Sequence, residues 1–145
     1  MADAKPPLVA ELVWSLPRAE SRGAGLRFDA TSGANAAVVD GDSTAGPSPM
    51  QYVAMGLAGC MGADVVDIIQ KGRHPLRALR VTFTGTRADT PPRRFLHIDL
   101  RFHVEGAVPP DAVARAIALS RETYCSVWHS LRQDIELTTT FDVRP

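Results

Sequence analysis

The chain has 145 residues, with Lys plus Arg and Asp plus Glu at 16 each, so its formal net charge is zero. That length suits one ordinary domain with its own core. The charge balance argues against nucleic acid or an anionic membrane as the main partner, since both demand a basic excess. The start, Met1-Ala-Asp-Ala-Lys-Pro-Pro, carries no apolar signal-peptide core, and no apolar run reads as long enough to span a bilayer. A soluble cytoplasmic protein is expected. In that reducing setting its only two cysteines, Cys60 and Cys125, are thiols or a redox-active pair rather than a structural disulfide.

Residues 8–16 are rich in β-formers and predict a strand, followed by a basic, glycine-containing turn over 17–25. Residues 26–30 and 34–39 flank Ser32-Gly33 and predict a hairpin, and 40–47 is rich in turn formers. A long helix follows. Ser48 is a good N-cap, Pro49 fits the first helical position and Gln51 completes a Ser-x-x-Gln capping box. Lys71, Gly72 and Pro75 mark its end. From Met50 to Ala63 no side chain is charged, so that half should be buried all round. One small domain rarely encloses a helix completely, and a second subunit is expected to help cover it. Gly56, Gly59 and Gly62 each weaken a helix by roughly 1 kcal/mol relative to alanine, which suggests that another backbone element approaches there.

Strands are predicted over 76–87 and 95–104. The second alternates, with Leu96, Ile98, Leu100, Phe102 and Val104 inward and His97, Asp99, Arg101 and His103 outward. A helix from about Pro110 turns Val113, Ala116, Ile117 and Ser120 inward, a short helix or continuation covers 125–131, and an alternating strand over 135–143 ends the order. The fold class is α+β, with helices on one face of antiparallel sheets, in one domain spanning 1–145.

Two unpaired cysteines in a cytosolic protein are usually core residues. Here Cys60 lies beside glycines in the uncharged half of the helix, and Cys125 sits where one helix hands over to another segment. The stretch Gly46-Pro-Ser-Pro-Met-Gln-Tyr-Val-Ala-Met-Gly-Leu-Ala-Gly-Cys60 resembles the Pro-rich entry and Cys-bearing helix of the OsmC/Ohr family. Asp64-Val-Val-Asp-Ile-Ile-Gln-Lys-Gly-Arg73 resembles the rest of that helix in the OsmC-like branch, and Thr123-Tyr-Cys-Ser-Val127 its second-cysteine motif.

The resemblance implies an intertwined homodimer, antiparallel sheets packed around a long buried central helix, and two equivalent interface sites. It also implies a thiol peroxidase for organic hydroperoxides. Cys60 would become a sulfenic acid, Cys125 would close a disulfide, and a small dithiol or a dihydrolipoyl protein would reduce it. No metal, flavin or haem is suggested. The best-studied peroxidase branch adds an arginine from an early loop, held by a glutamate at the start of the cysteine helix. Among Arg18, Arg22 and Arg27 the choice falls on Arg27. The glutamate position falls on Met50 or Gln51, neither charged, and Gln51 either bonds an arginine or serves the capping box. Ser126 stands where a proline often follows the second cysteine. A binding protein of the same fold, holding an apolar or electrophilic small molecule at the dimer interface, is the alternative.

Met50, Tyr52, Met55 and Trp128 are candidates for an apolar substrate pocket, with ordinary core packing as the other reading. His129, four residues after Cys125, either orients that thiol or is a plain surface histidine. His97, Asp99 and His103 share one strand face, but residues six apart are too distant for both histidines to hold one ion, so a solvated face is expected. Asp64 and Asp67 read as the start of the helix's solvated face, and Arg93-Arg94 as a solvated charge run.

Overall fold

The computed structural model describes residues 4–15 and 25–145. Most of the turn expected over 17–25, with Arg18 and Arg22, lies outside the described residues. The chain divides into two compact units, Met1–Tyr52 and Val53–Pro145.

The first unit holds a three-stranded antiparallel sheet in the order β1-β2-β3, with β1 at Glu11–Val13, β2 at Arg27–Ser32 and β3 at Asn35–Asp40. The β2–β3 hairpin turns at Gly33, whose φ of +57° suits a residue without a Cβ. β1 is shorter than expected because its ladder partner runs out. Glu11 faces Thr31 next to the last residue of β2, and beyond it Ser32 only reaches the Val9 carbonyl through its hydroxyl, at 2.8 Å. After β3, the Asp40 carboxylate organises the loop, accepting from the backbone N–H groups of Asp42 at 2.9 Å, Thr44 at 3.3 Å and Ala45 at 2.8 Å, and from the Thr44 hydroxyl at 3.0 Å. Among the described residues of this unit only Asp40 is buried.

Helix α1, Pro49–Lys71, starts where its caps predict. The Ser48 N–H donates to Gln51 Oε1 at 2.8 Å, and the Gln51 N–H donates to Ser48 Oγ at 3.2 Å. At its far end the left-handed residue is Arg73, with φ +60°, rather than Gly72. In the second unit Leu57, Met61, Val65 and Ile69 form a buried stripe spaced one turn apart. The burial on every face expected for this helix is not completed within the chain, since Met55, Gly56, Gly59 and Ala63 are exposed. Of the three glycines only Gly62 meets a close neighbour, where an added Cβ would lie 3.3 Å from Val81 Cγ2. One sequence expectation is corrected: with 23 residues and a mean hydropathy of 1.5 over an 18-residue stretch, α1 is long and apolar enough to cross a membrane by length and composition. A core helix passes the same test; here the stripe from Leu57 to Ile69 is buried, and 28% of the apolar stretch is buried within the chain.

The second sheet runs β4-β5-β6, with β4 at Leu76–Arg87, β5 at Phe95–Gly106 and β6 at Glu136–Arg144. β4 and β5 are antiparallel, but β6 lies parallel to β5, so the expectation of purely antiparallel sheets is corrected. A parallel neighbour needs a crossover of a dozen or more residues. Here α2 (Pro110–Leu119), a π-helical turn (Ser120–Tyr124) and α3 (Ser126–Ser130) supply it. A second correction concerns Leu96. Thr86 pairs with His97 and Arg87 with Phe95, so Leu96 is bulged out of the ladder. It is 42% exposed while Phe95 is buried. Phe95 stacks edge-on to Phe83, ring centroids 5.4 Å apart, over Gly85, where any Cβ would collide with both rings. From Ile98 to Val104 the alternation holds as expected, and these residues bury together with Val113, Ala116 and Ile117 of α2.

Candidate functional site

The two cysteines meet within the second unit. Cys60 is half-buried on α1 and Cys125 is fully buried. Cys125 is brought there by an irregularity. α2 passes into the π-helical turn, in which the Cys125 N–H donates to the Ser120 carbonyl five residues back at 2.8 Å. The backbone then turns extended at Cys125 (φ −69°, ψ 97°), which caps α3 by accepting the Trp128 N–H on its sulfur at 3.3 Å. Such π segments gather at functional sites.

Cys60 Sγ faces the start of α3. Ser126 Oγ lies 3.8 Å away, and the Val127 N–H and the Cys125 thiol lie close enough to favour its charged form. Burial pushes the Cys60 thiol up. The Val127 N–H, the Cys125 thiol and the Ser126 hydroxyl outweigh this, and against a smaller opposing push from the Asp64 carboxylate the net effect is downward. Cys125 moves the other way: burial, together with the neighbouring Cys60 and Asp64 charges and against the Trp128 N–H, pushes it up to about 11. The site therefore has one sulfur suited to be a thiolate and, beside it, one that stays protonated as a donor.

Asp64 lies one turn beyond Cys60 on α1. Sequence placed it at the start of the solvated face, but it is half-buried and accepts a 2.7 Å hydrogen bond from the fully buried Ser120 hydroxyl. Asp67 is solvated, paired with Lys71 at 2.6 Å. Sequence reasoning missed Ser120, Ser126 and the Val127 N–H as parts of the site. The only available signals were that Asp64 follows Cys60 at helical spacing and that a hydroxyl replaces proline after Cys125.

The remaining candidates fall as follows. Trp128 is buried on α3, while His129 is exposed. Met55 lies on a neighbouring stripe of α1, in a groove of about 600 Å3 with Ala58, Gly59, Val66, Leu79 and Val81. In the first unit, Arg27 is exposed and pairs with Asp29 at 3.1 Å. Gln51 Oε1 accepts from the Ser48 N–H and from the Ser43 hydroxyl, both at 2.8 Å. Met50 precedes it in the first turn of α1, and the Tyr52 hydroxyl donates to the Val38 carbonyl at 2.6 Å. On the second sheet, His103 lies 2.9 Å from Asp142 and His97 3.6 Å from Glu136. Among the described residues no three of His, Cys, Asp and Glu cluster as metal ligands.

Residues 40–140, which hold both cysteines, match the family described as OsmC-like protein. The chain belongs to this family. This OsmC-like chain is 44% identical over 108 residues to Protein YhfA of Escherichia coli strain K12, covering 73% of this chain and 81% of that protein. A hypothetical protein from Aquifex aeolicus VF5 shares its fold at a TM-score of 0.84 and 22% identity, over 96% of this chain and 97% of that one. An organic hydroperoxide resistance protein from Elizabethkingia anophelis shares the fold at a TM-score of 0.69 and 16% identity, over 98% and 99% of the two chains.

Proposed function

We propose that this protein is a thiol-dependent peroxidase that reduces organic hydroperoxides, with Cys60 as the nucleophile and Cys125 as the resolving thiol. The observation that carries this reading is the packing of Cys60 against the Cys125 segment, with Ser126 Oγ 3.8 Å from Cys60 Sγ, and the two sulfurs are tuned in opposite directions, Cys60 downward and Cys125 up to about 11. Cys60 thiolate attacks the outer oxygen of the hydroperoxide, the O–O bond breaks, and the alkoxide takes a proton from solvent to leave as an alcohol. The sulfur, oxidised by two electrons, is then a sulfenic acid. The Cys125 sulfur attacks it, the S–O bond breaks, and water leaves with the Cys125 proton. A dithiol restores both thiols by exchange. Family membership and the naming of structural neighbours for hydroperoxide resistance support the assignment. Arg27, Gln51, Met50, Tyr52, Met55 and Trp128 enter it only from the family resemblance and the sequence reading.

We further propose that the active form is a homodimer in a reducing, cytoplasmic compartment, a second copy covering the exposed apolar stripe of α1. A second reading, a binding protein holding an apolar or electrophilic small molecule, is favoured by Gln51. Its carbonyl oxygen already serves the capping box and Ser43, and it carries no charge to hold an arginine.

The test is peroxide consumption by the reduced protein with a dithiol donor, using cumene hydroperoxide against hydrogen peroxide. The peroxidase reading requires consumption of the organic peroxide that Cys60→Ser abolishes. In Cys125→Ser the first stoichiometric reaction should survive and turnover should stop. No consumption by wild type sinks the reading in favour of the binding protein.

A further inference from the structure

Ser120 joins the two cysteine segments from both of its ends. Its side chain donates to Asp64 Oδ2 at 2.7 Å, one helical turn from Cys60, while its main-chain carbonyl accepts the Cys125 N–H at 2.8 Å. The path from Cys60 along α1 to Asp64, across to Ser120, and on to Cys125 closes on the sulfur pair itself. Ser120 is fully buried, and its hydroxyl has this one bond as its means of satisfaction, so losing the acceptor strands a buried donor. The π-helical turn that starts at Ser120 aims Cys125 back toward α1, and without a fixed anchor it could relax toward the regular α-helix that precedes it. Effective concentrations of paired groups depend steeply on such geometry.

We infer that Asp64 and Ser120 are positioning residues for disulfide closure, holding the Cys125 segment against α1 so that its sulfur reaches Cys60 once Cys60 is oxidised. The role deepens the peroxidase reading but can be tested without peroxide. With glutathione disulfide as oxidant, Cys60 thiolate breaks the S–S bond and releases one glutathione thiolate. Cys125 then attacks the Cys60 sulfur of the mixed disulfide and releases the second. Two protein thiols give up two electrons and two protons, and one glutathione disulfide takes up the electrons.

The experiment equilibrates the full-length protein in glutathione redox buffers and measures the Cys60–Cys125 disulfide against the Cys60–glutathione mixed disulfide. Asp64→Ala and Ser120→Ala should lower the intramolecular closure constant about tenfold, the loss expected for one hydrogen bond to a charged group. In a Cys125→Ser background Asp64→Ala and Asp64→Asn should change formation of the mixed disulfide by the same factor within about twofold, since both remove the one carboxylate that acts on Cys60, so any loss peculiar to Asp64→Ala belongs to closure. Asp64→Asn keeps an acceptor for Ser120 and should retain closure within about threefold. It also removes the carboxylate that opposes both thiolates, so its pH profile for exchange should move to lower pH together with that of Asp64→Ala, and rescue of closure by Asp64→Asn alone is what a charge effect would not give. Closure by Asp64→Ala equal to wild type overturns the inference, and so does an equal loss in Asp64→Asn. Asp64 is only half-buried, so these variants decide the matter even if Ser120→Ala does not fold. Failure of peroxide consumption with normal glutathione closure would sink the peroxidase reading alone.

Discussion

The Sγ of Cys60 lies 3.8 Å from the Oγ of Ser126, so the residue that follows the second cysteine touches the first. Together with the Val127 N–H it helps bring the Cys60 thiol down. Ser126→Ala and Ser126→Pro should both raise the Cys60 pKa. Each should slow its alkylation at pH 7 by about three- to tenfold, the range for one ordinary hydrogen bond. Proline is tolerated at the first helical position, so Ser126→Pro should keep the fold. The pH dependence of iodoacetamide labelling at Cys60 checks both.

Cys125 should resist labelling across the neutral range and react only as the pH approaches about 11. Its raised pKa also links to stability. Folding favours the protonated thiol, so this contribution is fully present below the ordinary thiol value of 9.0 and is lost as pH rises to about 11. Thermal melts at pH 8 and pH 11 should show a steeper loss for wild type than for Cys125→Ala, compared each with itself.

The exposed stripe of α1 gives a direct test of the proposed dimer. Ala63 is exposed beside Gly59 and Gly62. An arginine there would place a charge in the covered face at a cost of several kcal/mol. Ala63→Arg should shift the protein from dimer to monomer in analytical ultracentrifugation, and a wild type already monomeric at micromolar concentration would rule the assembly out.

Phe102 is fully buried at the centre of β5. Phe102→Ala should destabilise the protein by about 3–5 kcal/mol, read from urea unfolding. The exposed Leu96 on the same strand should tolerate alanine within about 0.5 kcal/mol.

The contrast between Phe102 and Leu96 shows what the sequence could reveal. α1 was legible because its signals are local: Ser48, Pro49 and Gln51 announce the start within one turn, and the uncharged run identifies it as a core element. The inward set from Ile98 to Val104 was legible from alternation. Leu96 was misplaced because its bulge is set across the sheet, where Gly85 makes room for the Phe95 ring. The parallel sense of β6 depends on where α2 and α3 return the chain, which no strand encodes by itself. At the site, both cysteines could be singled out by motif. Ser120 could be assigned to the interior, but its bond to Asp64 joins residues 56 apart in sequence, and Asp64 looked solvated until that partner was seen.

The Trp128 N–H donates to a sulfur atom, Cys125 Sγ, at 3.3 Å. Sulfur is a weak and polarisable acceptor whose electron density changes with its bonding. The amide of Trp128 is therefore a resident reporter on the chemistry beside it. Its proton resonance and its exchange rate with deuterium should differ between the dithiol and disulfide states, so an NMR spectrum of one backbone amide could follow the oxidation state of the site without any label on the cysteines.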